Sequence, residues 1–340
     1  MNKKIRLAIH HREGSFSERW IEYCDQNNIS YKLVNCYQID IVDQLSDCNG
    51  LMWHWHHADP KAVSFARQLT YALEASGKKV FPSAKTCWHF DDKVGQKYLF
   101  EAIKAPIVPS YVFYDKQTAL RFIEETTFPK VFKLRGGSGS SNVKLVRKNT
   151  EARKLVHRAF GRGLTKIDRF SLLKDRFWHL QRDRNITAIW GCFKGLARVL
   201  VPTKYEMSAG RDKGYVYFQD FIPDNSFDIR VIVIGQRAFA IKRMVRDGDF
   251  RASGSGMSVH DHCQIPLDCV RIAFDTSRKL GAQCLSYDFV FDGSNYQIIE
   301  MSYGFVTKVY AGYWDLDLKW HSGQFVAPYF MVEDFLESLR

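Results

Sequence analysis

Along the first eighty residues, short apolar runs alternate with stretches whose apolar residues recur three and four apart. Residues 4–10 (KIRLAIH) read as a strand, 15–27 as a helix, 30–36 and 49–55 as strands, and 61–76 as an amphipathic helix ending at Gly77. This rhythm predicts a small parallel sheet with helices on both faces and ligands beyond the carboxyl ends of its strands. Those ends carry His10, His11 and Arg12, and the run Trp53-His54-Trp55-His56-His57. On a strand, His54 and His56 share a face. A metal site, a substrate-contacting loop and plain packing are all open for them, since no third ligand stands at a recognisable spacing.

From residue 80 the pattern changes. A short strand, a helix opening near Phe90 and a strand after Pro109 are followed by VFKLRGGSGSSNVKLV at 131–146, two strand-like ends around a loop of glycine and serine. Asp91 or Asp92 falls in the first turn of that helix, beside Lys93. In the incoming strand Val131 and Lys133 take one face, while Phe132 and Leu134 take the other. Gly137, Ser138, Gly139 and Ser140 carry little side-chain bulk, so backbone N–H groups can close around a phosphate chain. The lysine precedes the glycines, so this is not a GxxxxGK[ST] loop. A flexible surface hairpin is the bland alternative.

Three later stretches weigh against that alternative. Residues 215–235 give an apolar strand, a proline-containing connector and a second apolar strand, the arrangement of a hinge that can hydrogen-bond a flat base. Residues 238–256 project Lys242, Arg243, Arg246 and Arg251 around an Asp-Gly turn, a cationic density suited to phosphate. CLSYDFVFDGSNYQIIEMS at 284–302 reads as two strands whose antiparallel pairing brings Asp288 near Glu300. Two carboxylates in apolar surroundings need a neutralising cation, and magnesium, which takes one or two carboxylates plus phosphate oxygens, fits.

Composition and charge set the remaining bounds. The chain has 340 residues, 46% of them hydrophobic and 25% charged, enough for two or three domains with real cores. No apolar run reaches the eighteen or so residues of a membrane span, and the opening apolar stretch is too short for a secretory signal. Eight scattered cysteines without a CxxC pair read as reduced thiols, which predicts a cytoplasmic protein. The formal charge is +12, and residues 151–213, with fifteen Lys and Arg against six Asp and Glu, carry +9 of it. Within that segment, residues 168–183 place Phe170, Leu173, Phe177 and Leu180 at helical spacing with basic residues opposite. Such a helix suits an anionic membrane surface or lipid carrier, and equally a solvated helix packed on its own domain. Its aromatics follow helical spacing rather than a stacking surface, which argues against nucleic acid.

In combination and order, these pieces resemble an ATP-grasp ligase of the RimK and glutathione-synthetase type, over about residues 80–305. The resemblance implies an α/β chain with a parallel-sheet pre-ATP-grasp domain at 1–85, nucleotide-binding and catalytic domains at 86–150 and 214–340, and a basic, partly helical insertion at 151–213. It implies ATP and magnesium as cofactors, with manganese as a substitute, and a homo-oligomer is compatible with it. Lys93, Lys133, Lys242 and the glycine loop would contact the nucleotide phosphates, and Gln219, Asp220, Phe221 and Ile222 would hold adenine, with Asp228 nearby. Arg243 and Arg251 would act on phosphate or the reacting carboxylate. Asp288, Glu300 and Ser302 would bind metal, Ser302 standing where the family usually has asparagine. The implied chemistry is amide formation between a carboxylate and an amine through an acylphosphate, under a closing loop at 135–142. The tail at 302–325 resembles ligase-like proteins of surface-polysaccharide synthesis, which suggests a sugar acid or amino acid for a capsule or O-antigen. A RimK-like peptide ligase and a nucleotide-binding module without turnover are the alternatives. Asp315, Asp317 and His321 are expected to cap local turns rather than deprotonate an amine.

Overall fold

The computed structural model describes residues 5–56, 59–137, 143–165, 210–246, 249–252, 255–306 and 309–340. Its elements run β1 (Arg6–His10), α1 (Phe16–Gln26), β2 (Ser30–Val34), α2 (Ile41–Gln44), β3 (Gly50–Met52), α3 (Pro60–Ala75), β4 (Lys79–Phe81), α4 (Ala84–Cys87) and α5 (Lys93–Ala102). Then follow β5 (Ser110–Phe113), α6 (Lys116–Glu125), β6 (Lys130–Lys133), β7 (Val143–Val146), α7 (Asn149–Phe160), β8 (Leu164–Thr165), β9 (Arg211–Asp212) and β10 (Val216–Asp220). The chain closes with β11 (Phe227–Ile234), β12 (Arg237–Met244), β13 (Ser258–Val259), α8 (Leu267–Leu280), β14 (Cys284–Phe291), β15 (Tyr296–Ser302), β16 (Val309–Trp314), β17 (Trp320–Val326) and α9 (Ala327–Ser338). Two compact units result: Met1–Phe90 with Tyr98–Ile107 and Asp224–Arg340, and Asp91–Lys97 with Val108–Pro223.

The first unit holds the expected parallel sheet, in the order β2-β1-β3-β4. Leu7, Ala8 and Ile9 are fully buried, as a strand covered on both faces requires. Ser15 caps α1 by accepting from the Ser17 N–H, and Asp59 caps α3 by accepting from the Lys61 and Ala62 N–H groups. The third strand is shorter than its apolar run: after Met52 the Trp55 N–H donates to the Trp53 carbonyl at 2.9 Å, which turns the backbone out of the sheet. His54 and His56 therefore lie on a turn, not on one strand face.

The same unit contains an antiparallel sheet, β15-β14-β11-β12-β16-β17, with β13 on β12. Helix α8 packs on one face, where the Ser277 hydroxyl and the Tyr287 phenol lie 2.8 Å apart. Helix α9 lies against α1, joined by the Tyr23 hydroxyl donating to Glu333 at 3.0 Å.

The second unit is built on the antiparallel sheet β5-β10-β6-β7. Phe132, Leu134, Val146, Val216 and Phe218 face Ala119 and Ile123 of α6 and Ala152, Val156 and Ala159 of α7. The basic segment at 151–213 thus opens inside a helix that belongs to this core. Beyond α7, β8 pairs antiparallel with β9, Leu164 opposite Asp212 and Thr165 opposite Arg211. The amphipathic stretch at 168–183 lies outside the described residues. Among the described residues no helix is long and apolar enough to cross a membrane.

Candidate functional site

In the second unit β6 and β7 form the expected hairpin, with Lys133 opposite Val143. The start of α5 grips its base. The Gly137 N–H donates to Asp91 Oδ1 at 2.6 Å, and Lys93 Nζ donates to the Gly137 carbonyl at 2.8 Å. Arg135 donates to Asp92 Oδ2 at 2.6 Å, and the Lys93 N–H donates to the Arg135 carbonyl at 2.9 Å. At Gly136 an added Cβ would stand 3.1 Å from Asp91 Oδ2, so a side chain there would push the acid away. Ser138, Gly139 and Ser140 lie outside the described residues.

Strand alternation places Lys133, Tyr217 and Gln219 on the face opposite the helices, as their register shows. Lys133 and Gln219 are both buried, and Lys133 Nζ donates to Gln219 Oε1 at 2.6 Å. Gln219 Nε2 donates onward to the Ser110 hydroxyl at 3.0 Å. Asp220 accepts from Lys130 Nζ at 2.6 Å, and its N–H donates to the Pro109 carbonyl at 2.9 Å. Of the four hinge residues, Gln219 and Asp220 are thus committed to the sheet by side chain and backbone. Phe221 and Ile222, both half-buried, lie past the strand end.

The charged centre of the first unit follows from register. Asp288 on β14 stands opposite Glu300 on β15 and opposite Arg230 on β11, while Asp228 on β11 stands opposite Arg243 on β12. Residues two apart share a face, so all five project from one side of the sheet. Arg230 grips Asp288 with two bonds, Nε to Oδ1 at 2.6 Å and Nη2 to Oδ2 at 2.8 Å. Arg243 holds Asp228 through Nε at 2.7 Å and Nη2 at 2.5 Å, and the same Nη2 lies 2.8 Å from Asp288 Oδ2. Although burial opposes it, the Arg230 and Arg243 guanidiniums hold the Asp288 carboxyl below the usual carboxylate range. Burial pushes Asp228 up to about 6, against the pull of Arg243 and with the help of the Asp288 charge. Although burial opposes it, the charges of Asp288 and Asp228 and their hydrogen bonds raise Arg243 above its ordinary value.

This quartet corrects one step of the sequence argument: the cations that neutralise Asp288 are guanidiniums, so charge balance alone does not call for a metal. Nothing in the sequence pattern marks Arg230 for this role, although its place two residues after Asp228 puts it on the same face. A carboxylate offers about four lone-pair positions. Among the described residues three N–H contacts meet Asp288, which leaves it able to share a hard cation with Glu300 across the strand pair.

Other expected residues fall elsewhere. Lys242 projects from the sheet face opposite Arg243, with Nζ 4.1 Å above the Phe227 ring and 3.3 Å from Gln264 Oε1. Arg251 folds back on Asp249, Nε to Oδ1 at 3.0 Å and Nη2 to Oδ2 at 2.8 Å. The Ser302 hydroxyl donates to the Gly304 carbonyl at 2.8 Å and accepts from the Gly304 N–H at 3.1 Å, closing the turn after β15. A Cβ on Gly304 would stand 3.3 Å from His56 Cδ2 and 3.7 Å from His54 Nε2, so the histidine run borders the strand carrying Glu300. His54 is buried, stacks on Phe16 at 3.6 Å, and accepts from the Phe16 N–H at 3.0 Å. Asp315 caps its turn by accepting from the Asp317 and Lys319 N–H groups and pairs with His321 at 2.6 Å.

A parallel-sheet domain, a glycine hairpin with a lysine on its incoming strand, and a carboxylate pair on adjacent antiparallel strands define the ATP-grasp fold. Residues 196–319 match the family model of the RimK-like ATP-grasp domain. Similar solved structures include D-cycloserine synthetase DcsG (13% identity, 98% of this chain and 100% of that one, TM-score 0.58). A RimK domain ATP-grasp protein from Sphaerobacter thermophilus also matches (14%, 98% and 99%, TM-score 0.55). So does the ATP complex of D-alanine–D-alanine ligase from Bacillus anthracis (11%, 88% and 86%, TM-score 0.53). No match was found among curated protein sequences.

Proposed function

We propose that this protein is an ATP-dependent carboxylate–amine ligase that makes an amide through an acylphosphate. The carrying observation is the register that sets Asp288 opposite Glu300 beside the Arg230 and Arg243 guanidiniums. A carboxylate is a poor acyl donor because resonance and negative charge resist an incoming amine; phosphorylation removes both obstacles. Magnesium bound by Asp288 and Glu300 would neutralise charge on the phosphate oxygens during transfer. Arg243 and Arg230 are fixed by their acids with N–H groups already oriented, so they meet developing charge with little reorganisation. Lys93 and Lys133 supply the phosphate-holding cations of the nucleotide-binding unit. Phe221 and Ile222 supply the backbone past the end of β10 for the base.

Purified protein incubated with ATP, magnesium and acid–amine pairs should release ADP and phosphate, and hydroxylamine should trap the acylphosphate as a hydroxamate. Glu300→Ala should lower turnover by at least a hundredfold; undiminished turnover overturns the metal-holding role. The finer substrate reading is a sugar acid or amino acid destined for a surface glycan, supported by the aromatic tail after β15. The engaged Ser302 hydroxyl favours a second reading, a nucleotide-binding module without turnover. Magnesium-dependent ATP binding with no ADP released on any acid–amine pool would select it.

A further inference from the structure

Between β13 and α8 the chain makes a single 3-10 turn, His262–Gln264, opened by Asp261. Asp261, His262 and Cys263 each offer a ligand atom there, and the three atoms lie within 4.8 Å of one another. Cys263 is a free, exposed thiol, whereas Cys24, Cys36, Cys48, Cys87, Cys269 and Cys284 are buried. Its Sγ stands 3.6 Å from His262 Nε2. Zinc bonds of roughly 2.3 Å to sulfur and 2.0–2.1 Å to nitrogen at a tetrahedral angle require a sulfur–nitrogen edge of about 3.5 Å. The pair already has that spacing.

The imidazole is also held in place, since His262 stacks on Trp320 of β17 with centroids 4.3 Å apart and planes 3° from parallel. Asp261 is tied to the same turn, accepting from the Cys263 N–H at 3.0 Å. The longest donor separation must contract to about 3.5 Å for tetrahedral binding. Rotation of the exposed Asp261 side chain can supply that change.

We propose that Asp261, His262 and Cys263 form a surface site for a borderline-soft divalent cation, zinc, separate from the acids on β14 and β15. Thiolate, imidazole and carboxylate together select zinc over magnesium or calcium, whose ligands are oxygens. Binding releases the Cys263 proton to solvent as the thiol becomes a thiolate ligand. Three protein ligands leave the fourth position to water. The site follows directly on β13, whose Ser258 pairs with Arg243, so an ion there stiffens the segment that flanks the charged quartet.

The test uses the full chain, stripped with a chelator and titrated with zinc alone. Calorimetry should show one equivalent bound, and the same equivalent should slow the reaction of DTNB with the thiol that Cys263→Ser removes. Cys263→Ser and His262→Gln should each weaken zinc binding at least tenfold. Asp261→Asn keeps a capping side chain and should weaken it less, which separates ligation from any loss of the turn. Copper(II), which binds such donors more tightly, should quench the tryptophan fluorescence that Trp320→Phe removes. Zinc binding unchanged in Cys263→Ser and His262→Gln, or no saturable one-equivalent binding, overturns the proposal. Magnesium-dependent ATP turnover is a separate measurement and decides the ligase reading independently.

Discussion

Asp288 shows how one buried carboxylate draws its surroundings into a network. Arg230→Ala removes two of its N–H contacts and leaves Arg243 to serve two acids. Breaking a buried pair typically costs 3–5 kcal/mol. Because Arg230 is partly exposed and Arg243 remains, a loss of about 3 kcal/mol is expected in urea unfolding. Arg230→Lys should recover only part of it, since an ammonium cannot reproduce the bidentate grip. His10 is a second test at this scale. Its Nδ1 accepts from the Cys36 N–H at 3.0 Å, and burial lowers its pKa below the ordinary 6.5, with His11 and Arg12 adding to the shift and Asp59 opposing it. The unfolded chain therefore takes up this proton first. The His10 contribution is complete above pH 6.5 and declines as pH falls toward the folded value. Urea midpoints of wild type should fall between pH 7.5 and 5.5, with a smaller fall in His10→Gln.

At the scale of elements, two glycines separate backbone strain from steric exclusion. Gly281 ends α8 at φ +60 with the nearest foreign atom 3.6 Å from an added Cβ, so Gly281→Ala pays only the left-handed conformation, about 1 kcal/mol. At Gly312 the added Cβ would stand 2.5 Å from the His321 carbonyl and collide with the Trp320 ring. Gly312→Ala should therefore open the β16–β17 hairpin, read as a large drop in unfolding midpoint beside the small one for Gly281→Ala. The same scale shows what sequence could reveal. Period-two alternation was enough to place Phe132 and Leu134 on the core face and Lys133 opposite, and to bring Asp288 to Glu300, because strand geometry fixes side-chain direction locally. It also separates Lys242 from Arg243, adjacent residues whose shared positive charge concealed their opposite faces. The early end of β3 depends on a hydrogen bond between Trp55 and Trp53 that no apolar pattern announces. The neutralisation of Asp288 by Arg230 depends on pairing between strands almost sixty residues apart in the chain, and the hold of Asp91, Asp92 and Lys93 on the glycine hairpin depends on contacts between a helix start and a loop more than forty residues apart.

At the scale of the whole molecule, charge is concentrated rather than spread. Most of the basic excess falls between Glu151 and Lys213, and the part on α7 rides on a helix whose other face, Ala152, Val156 and Ala159, is buried in a core. The reading that the remainder meets an anionic lipid surface is tested by replacing residues 166–209 with Asn-Gly, a pair suited to a tight hairpin. Unfolding should stay cooperative, and binding to phosphatidylglycerol vesicles at 50 mM salt should fall at least tenfold. Undiminished vesicle binding would remove the lipid role.

The short ribbon of Leu164–Thr165 on Arg211–Asp212 carries a consequence of its own. Because Leu164 and Thr165 are laced to Arg211 and Asp212, a change in the length of the sequence between the two strands should cost the surrounding unit little stability. Natural variation in this chain should then gather between Thr165 and Arg211.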